Sequence, residues 1–298
     1  MTSRPARKYG MKASEAGTGL LYILPSFVLL LIFHVIPIAM TLFYSFTKYN
    51  AVQSASFIGL ANYRRLFSDS NVATSFFNTI LYTVITVPLQ TMLALLFAEL
   101  LAKKSRNRWG GIVRSSLFIP VICSMVMVGI IWRILLATDG GFVNTVLGVF
   151  GISQVNWLGG RWSSLMAVCM IGVWKNVGYF LVIFYAGVMD IPSSLYEAAK
   201  VDGASGTQQF FKITLPMLRP ITYLAVTLGT IWSFQVFDLV YTMTGGGPGR
   251  STITLVYTIY TSAFKEYNMG YSSAVSILML VIILLVSAVQ KALLRDKG

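Results

Sequence analysis

Charge, histidine and cysteine are all scarce in this sequence. Of its 298 residues only 11% are Asp, Glu, Lys or Arg, whereas soluble domains carry about a quarter, and an ordinary water-soluble fold is thereby excluded. The single histidine, His34, rules out every metal motif built on a histidine pair. Cys123 and Cys169 both fall inside apolar runs, which leaves neither a disulfide framework nor a thiolate cluster. Acidic residues number 10 against 23 Lys and Arg, for a net charge of +13. A nucleic-acid binder would gather that excess on a soluble face. These basic residues stand instead in short segments between apolar stretches, so no nucleic-acid partner is expected.

What is abundant is apolar: 56% of residues are hydrophobic and the mean hydropathy is +0.71. Runs long enough to cross the ~30 Å hydrocarbon core of a bilayer recur along the chain. Trimmed at turn residues, they predict an all-α polytopic membrane protein with six transmembrane helices, near Leu20–Phe46, Phe76–Ala102, Ser115–Ala137, Ser163–Met189, Ile221–Met243 and Tyr271–Gln290. The first run is about twice as long as a signal-peptide core and reads as a true helix. One membrane domain over residues 20–290 is expected, with a loop at 190–220, an N-terminal tail at 1–19 and a C-terminal tail at 291–298. Fifteen Lys and Arg residues fall in the tails and in the second and fourth loops, against six in the first, third and fifth. That bias places both termini in the cytoplasm. In the third loop Phe142, Val143, Val146, Leu147 and Phe150 follow a helical spacing.

The fourth loop differs from its neighbours. Asp190, Glu197 and Asp202 balance Lys200, Lys212 and Arg219, so something other than lipid headgroups is expected to meet it. Ser193 or Ser194 is placed to cap a short helix, with Glu197 near its positive end, and Gly203 ends it because glycine accepts the left-handed conformation. A second short helix is predicted over Thr207–Ile213, broken by Pro216 before the fifth span. The result is a helix-turn-helix projecting from the membrane.

Glu197, Ala198, Ala199, Gly203, Ile213, Leu215 and Pro216 satisfy every position of the pattern Glu-Ala-Ala, three residues, Gly, nine residues, Ile, one residue, Leu-Pro. In this the sequence resembles the membrane subunits of ATP-binding cassette (ABC) importers. The likeness extends over nearly the whole chain and narrows toward carbohydrate-uptake permeases of the maltose and glycerol-phosphate type. It is carried by Phe57-Ile58-Gly59-Leu60-Ala61-Asn62-Tyr63, Asn78-Thr79, Trp174-Lys175-Asn176-Val177-Gly178-Tyr179, Phe237-Asp238, Thr244-Gly245-Gly246-Gly247-Pro248 and Gly270-Tyr271-Ser272-Ser273-Ala274. The resemblance implies the type I importer permease fold in a prokaryotic plasma (inner) membrane. It also implies a second, homologous permease, two cytosolic ATP-binding subunits, an extracytoplasmic solute-binding protein and a sugar or oligosaccharide solute. The loop at 190–220 would be the coupling helix that mates with the ATPase, through Glu197, Ala198, Ala199, Asp202, Gly203, Ile213, Leu215 and Pro216.

No nucleotide chemistry is expected in this chain itself. A phosphate-cradling loop needs Gly, four residues, Gly-Lys and Ser or Thr; Gly245-Gly246-Gly247-Pro248-Gly249-Arg250-Ser251-Thr252 has the wrong spacing and no lysine. ATP and Mg²⁺ would be held by partner subunits, with no cofactor or metal in this one. Within the spans, Arg133, Lys175 and Asp238 each cost about 2.5–3.5 kcal/mol at a bilayer centre, which calls for a protein or water environment. Lys175 with Tyr179, and Gln235 with Asp238, share helix faces; together with Trp174, Asn176, Trp232 and Arg133 they are candidates to line a sugar path. A structural alternative pairs Arg133 with Asp238 across the bundle.

Two other classes compete. Gly203-Ala204-Ser205-Gly206 reads like the nucleophile motif of a rhomboid intramembrane serine protease, but the only histidine precedes it in span one, where that family's base follows its serine. An ion-coupled secondary transporter would show internal repeats and discontinuous helices around a midplane site; no repeat is visible in the sequence.

Overall fold

The computed structural model describes residues 13–104 and 108–294; the tail segments 1–12 and 295–298 lie outside the described residues. The chain begins as α1 (Ala13–Leu30) and α2 (Ile36–Ser45), joined by a π-helical turn at Leu31–Val35 that carries His34. Pro37 stands just beyond this turn. Its ring and missing N–H disturb the preceding helical turn, and the wider π turn accommodates that disturbance. A two-stranded antiparallel hairpin follows, β1 (Thr47–Lys48) with β2 (Ser56–Phe57), pairing Thr47 with Phe57. Next come α3 (Ala61–Ser68), α4 (Ser70–Lys104), α5 (Arg108–Ile122), α6 (Met125–Leu135), α7 (Phe142–Val149) and α8 (Arg161–Met189). The fourth loop contains α9 (Ser193–Val201), α10 (Gly206–Gln209) and α11 (Leu215–Met217), and leads into α12 (Arg219–Phe234), α13 (Leu255–Tyr260) and α14 (Met269–Leu294).

The all-α expectation is met, but two of the six expected spans are not continuous helices. Among the described residues four helices are long and apolar enough to cross a membrane, or five if a bent pair counts as one. That pair is the expected third span: its two parts, Ser115–Ile122 and Met125–Leu135, are bent 104° out of line. Pro120 interrupts the bonding just before the bend, and Ser124 is extended, with φ −60° and ψ 137°. The expected fifth span is divided as well. α12 stops at Phe234, and helical structure resumes only beyond Phe237, ending in a π turn at Val240–Thr244. At the chain ends, α1 and α14 run beyond the expected domain edges at 19/20 and 290/291.

The four long spans divide by environment. The most apolar windows of the first and last spans are 0% and 17% buried within the chain, those of α4 and α8 44% and 61%. Lipid-facing helices read as uninterrupted apolar sequence, whereas helices that pack on other helices carry small and polar residues where the backbones approach. α8 follows the second rule: Ser164, Gly172, Gly178 and Gly187 are all on its buried face.

The bundle has two unlike ends. At the hairpin end, the Asn62 amide donates to the carbonyls of Ser45 and Thr47, both at 2.9 Å. Asn78 donates to Arg250 and Ile253 carbonyls at 3.2 and 3.0 Å, and the Thr79 hydroxyl accepts the Leu255 N–H at 3.0 Å. The Tyr271 hydroxyl donates to Asp69 at 2.7 Å. Burial pushes the Asp69 carboxyl upward, but the Tyr271 hydroxyl, the N–H groups of Asn71 and Val72 and the nearby Arg65 outweigh it and leave its pKa below the ordinary value. A carboxyl lowered in the folded state stabilises above its unfolded pKa and loses that contribution as pH falls through the lowered value. This tie is therefore intact at neutral pH. The opposite end carries residues 190–218, where Ile191 and Leu218 join Leu101, Val188 and Phe184 in one apolar cluster.

Candidate functional site

The loop-end segment at 190–218 is built from local signals. α9 begins after Pro192, which occupies the N-cap position with no side-chain cap; Ser193 and Ser194 are the first helical residues and do not cap it. Proline suits this edge because it cannot continue a helix backwards. α9 ends as expected at Gly203, whose φ of +76° is the left-handed conformation. The Ala204 N–H reaches the Ala199 carbonyl at 2.8 Å. The second helix opens on a reciprocal capping box: the Ser205 hydroxyl accepts the Gln208 N–H at 3.3 Å, and the Gln208 side chain accepts the Ser205 N–H at 2.7 Å. Ser205 thus serves as a helix cap. Helix α10 then widens into a π turn at Phe210–Thr214, and Pro216 lies within α11.

Two side-chain hydrogen bonds, made by three residues that sequence patterns did not single out, lock this segment. The Tyr196 and Thr214 hydroxyls share a hydrogen bond at 2.8 Å, and the buried Gln209 donates to the Ala204 carbonyl at 3.0 Å. Ile213 and Leu215 pack inward against the loop-end cluster, and Pro216 is half-buried beside them. Glu197, Ala198, Asp202 and Gly203 are exposed and Ala199 is half-buried. Beside them Leu195, Val201 and Phe211 are also exposed, at 41%, 87% and 60%. The tip sets exposed apolar side chains beside the charges of Glu197, Lys200 and Asp202 on a braced support. Replacing Ser205 by Ala removes one half of the box and is expected to cost about 1 kcal/mol. Hydrogen exchange over residues 206–214 should then quicken by about fivefold, while exchange in α8 stays unchanged.

The candidate pathway residues fall into two groups. The Tyr179 and Trp232 rings lie 4.9 Å apart, with Phe180 5.6 Å from Trp232. Trp232 and Gln235 are exposed and Asp238 is half-buried along the same interrupted helix. The break at Gln235–Phe237 is supported from the segment before α13: the Thr254 hydroxyl donates to the Val236 carbonyl at 2.8 Å. Irregular backbone at membrane depth is tolerated where it is buried or lines a watery cavity. Around the break, Phe237 is 5.2 Å from Tyr241 and 5.0 Å from Tyr260. This aromatic shelf was detectable only as a spacing of three and four residues among Phe237, Tyr241, Tyr257 and Tyr260.

The second group lies on α6 and α8. Trp174 meets Trp132 edge-on at 5.5 Å, and Asn176 is half-buried. Arg133 donates to the Thr242 carbonyl at 3.4 Å. The alternative pairing of Arg133 with Asp238 is not realised: among the described residues no ion pair joins them, because the guanidinium is turned to a backbone carbonyl instead. Lys175 is 7% exposed, and its ammonium group donates to the Val121 carbonyl at 2.9 Å.

Residues 55–297 match the model of the family described as "Binding-protein-dependent transport system inner membrane component". The chain belongs to that family. Among relatives of this inner membrane component, the trehalose/maltose transport system permease protein MalF of Thermococcus litoralis is 36% identical, over 92% of each chain. The sulfoquinovosyl glycerol transport system permease protein SmoG of Agrobacterium fabrum is 35% identical, over 93% of this chain and 90% of its own. A chain of a bacterial alginate ABC transporter, solved with an alginate pentasaccharide-bound periplasmic protein, superposes with a TM-score of 0.84 at 21% identity, covering 95% of this component and 96% of that chain. The fold of the inner membrane component is therefore that of an ABC transporter membrane chain.

Proposed function

We propose that the chain forms half of the translocation pathway of an ATP-driven importer for sugars or oligosaccharides, with a second permease subunit forming the other half. Two cytosolic subunits hold and hydrolyse ATP with Mg²⁺, and their closure acts on the lever at residues 190–220. The observation that carries this reading is the braced lever with its exposed tip of Leu195, Glu197, Ala198, Val201 and Gly203, on a chain related to MalF and SmoG. ATP binding supplies the shift only if it favours one state of the assembly over the other, and only a stiff connection transmits that preference. The Tyr196–Thr214 bond and the Ser205–Gln208 box supply the stiffness.

Both termini and the lever lie on the cytoplasmic side of a prokaryotic inner membrane, following the distribution of Lys and Arg. The hairpin end then faces the extracytoplasmic solute-binding protein. It presents two adjoining polar clefts of about 490 and 230 Å³, which share Arg65 and Glu266. Tyr179, Trp232, Gln235 and Asp238, with the Phe237–Tyr241–Tyr260 shelf, line the sugar route: rings stack on sugar faces while the amide and carboxylate exchange hydroxyl hydrogen bonds. The test is uptake of a labelled maltodextrin and of other candidate sugars into proteoliposomes holding the complete complex with its binding protein. Uptake of a cognate sugar should require internal ATP and ignore an uncoupler. Uptake indifferent to ATP and abolished by the uncoupler would instead mark an ion-coupled transporter.

A further inference from the structure

Two of the expected spans are interrupted, and each interruption strands carbonyl oxygens that need partners from outside their own helix. At the break after α12 the partner is a neutral hydroxyl, Thr254, donating to Val236. At the α5–α6 bend the partner is a charge. Lys175 comes from the neighbouring helix α8 and places its ammonium group 2.9 Å from the Val121 carbonyl, in the last turn of α5. In a continuous helix that carbonyl would accept the N–H of Met125, four residues on. Met125 instead begins α6, on the far side of a 104° bend. The end of α5 also concentrates the negative pole of its peptide dipoles, which favours a cation with several donors.

One turn further along α8, Gly178 brings the two backbones together: a Cβ there would collide with the Leu117 carbonyl oxygen. Lys175 and Gly178 thus form a single seat for the end of α5. Beyond the bend, α6 crosses to the Val240–Thr244 turn. Gly129 abuts the Thr242 side chain, and Arg133 donates to the Thr242 carbonyl. The Thr242 hydroxyl in turn donates to the Asp238 carbonyl at 2.6 Å.

We propose that Lys175 is a positioning residue, a charged cap supplied by α8 that holds the third span bent and thereby sets where α6 supports the Asp238–Thr244 segment. On this account its charge is directed to the backbone of α5 and not to solute, so its role is independent of which sugar is carried. Without the cap, residues 121–125 regain their internal bonds by straightening.

The experiment reads the bend directly, by electron paramagnetic resonance distances in the assembled transporter. Spin labels replace the exposed Ile112 and Ile134 in a background with Cys123 and Cys169 changed to Ser. At 1.5 Å rise per residue, arms bent 104° out of line place the two backbone positions roughly 20 Å apart, whereas a continuous helix would separate them by roughly 33 Å. The otherwise unaltered protein and Lys175→Arg should both give the short distance, and Lys175→Met should acquire the long population. Gly178→Val, which wedges α5 away from α8 while keeping the lysine, should acquire it as well and serves as the readout if Lys175→Met does not assemble. A short distance retained in Lys175→Met or in Gly178→Val overturns the proposal, as does failure of Lys175→Arg to restore it.

Discussion

Gly203→Asp is expected to leave the chain inserted and assembled with its partner permease while reducing ATP-driven uptake at least tenfold. The reasoning rests on what surrounds the residue. Gly203 has a left-handed φ of +76°, a conformation that costs most L-residues about 1–2 kcal/mol but that Asp tolerates better than most. A Cβ at this position meets nothing within 4 Å, so the loop itself has room for the new side chain. What changes is the exposed tip: a second carboxylate appears beside Asp202, projecting from the surface proposed to enter the ATPase. A partner surface shaped for a glycine must then bury an unpaired charge, and removing that charge from water costs far more than the local backbone strain. Membrane content measured by immunoblot should be unchanged while uptake in vesicles collapses. Unaltered ATP-driven uptake would contradict the assignment of this loop.

Asn144→Ala is expected to have the largest effect on stability away from the lever. Asn144 is 5% exposed and organises the segment between α6 and α8 through one side chain. Its amide donates to the carbonyls of Ala137, Thr138 and Val155 at 3.3, 3.1 and 3.0 Å. Its oxygen accepts the Val155 N–H at 3.1 Å and the Trp157 indole N–H at 3.0 Å. Truncation strands several of these groups together, and a buried donor or acceptor left without a partner costs about 1–3 kcal/mol. The bonds share one residue and are not additive, so a loss of about 2–4 kcal/mol is expected. It should appear as a lower thermal midpoint of the purified complex and as faster proteolysis between Ala137 and Ser163. Trp157→Phe removes only one of these bonds and should cost about 1 kcal/mol. Equal stability of Asn144→Ala and the unaltered protein would show that the segment is held by its apolar packing alone.

Much of this organisation is legible in the sequence, and the gaps have physical causes. The four long spans are evident because lipid imposes a length and a polarity that few other segments share. The bends in the third and fifth expected spans are hidden by the same rule. Pro120, Cys123 and Ser124, or a single Gln235, barely interrupt an apolar run, and the groups that satisfy the broken backbone come from elsewhere in the chain: Lys175 is 54 residues from Val121. Asn62, Asn78 and Tyr271 stand out as motif residues, yet their purpose as ties at the hairpin end depends on partners far away in sequence; Asn78 reaches across 172 and 175 residues.

The lever is the most readable part because its signals are local, and Gly203 ends its helix as expected. Its braces were missed for a different reason. Tyr196 and Thr214 form ordinary spacings until the π turn at 210–214 brings them together, and the Ser205–Gln208 box was hidden in a Gly-Ala-Ser-Gly run that suggested chemistry instead. Arg133 and Asp238 suggested an ion pair by charge alone, but a nearby carbonyl offered the guanidinium a closer partner.

The central claim is that a nucleotide-driven partner works this chain through the tip of the loop. Ala198→Cys, in the otherwise unaltered complex with Cys123 and Cys169 replaced by Ser, places a thiol on the exposed face of α9 for labelling with a maleimide that carries a benzophenone, whose photoactivated carbonyl inserts into any C–H bond within its reach. The account predicts a crosslink to an ATP-hydrolysing subunit, at a position on that subunit that changes when ATP replaces no nucleotide. A complex that transports its sugar while Ala198→Cys never crosslinks to a nucleotide-hydrolysing protein would contradict it.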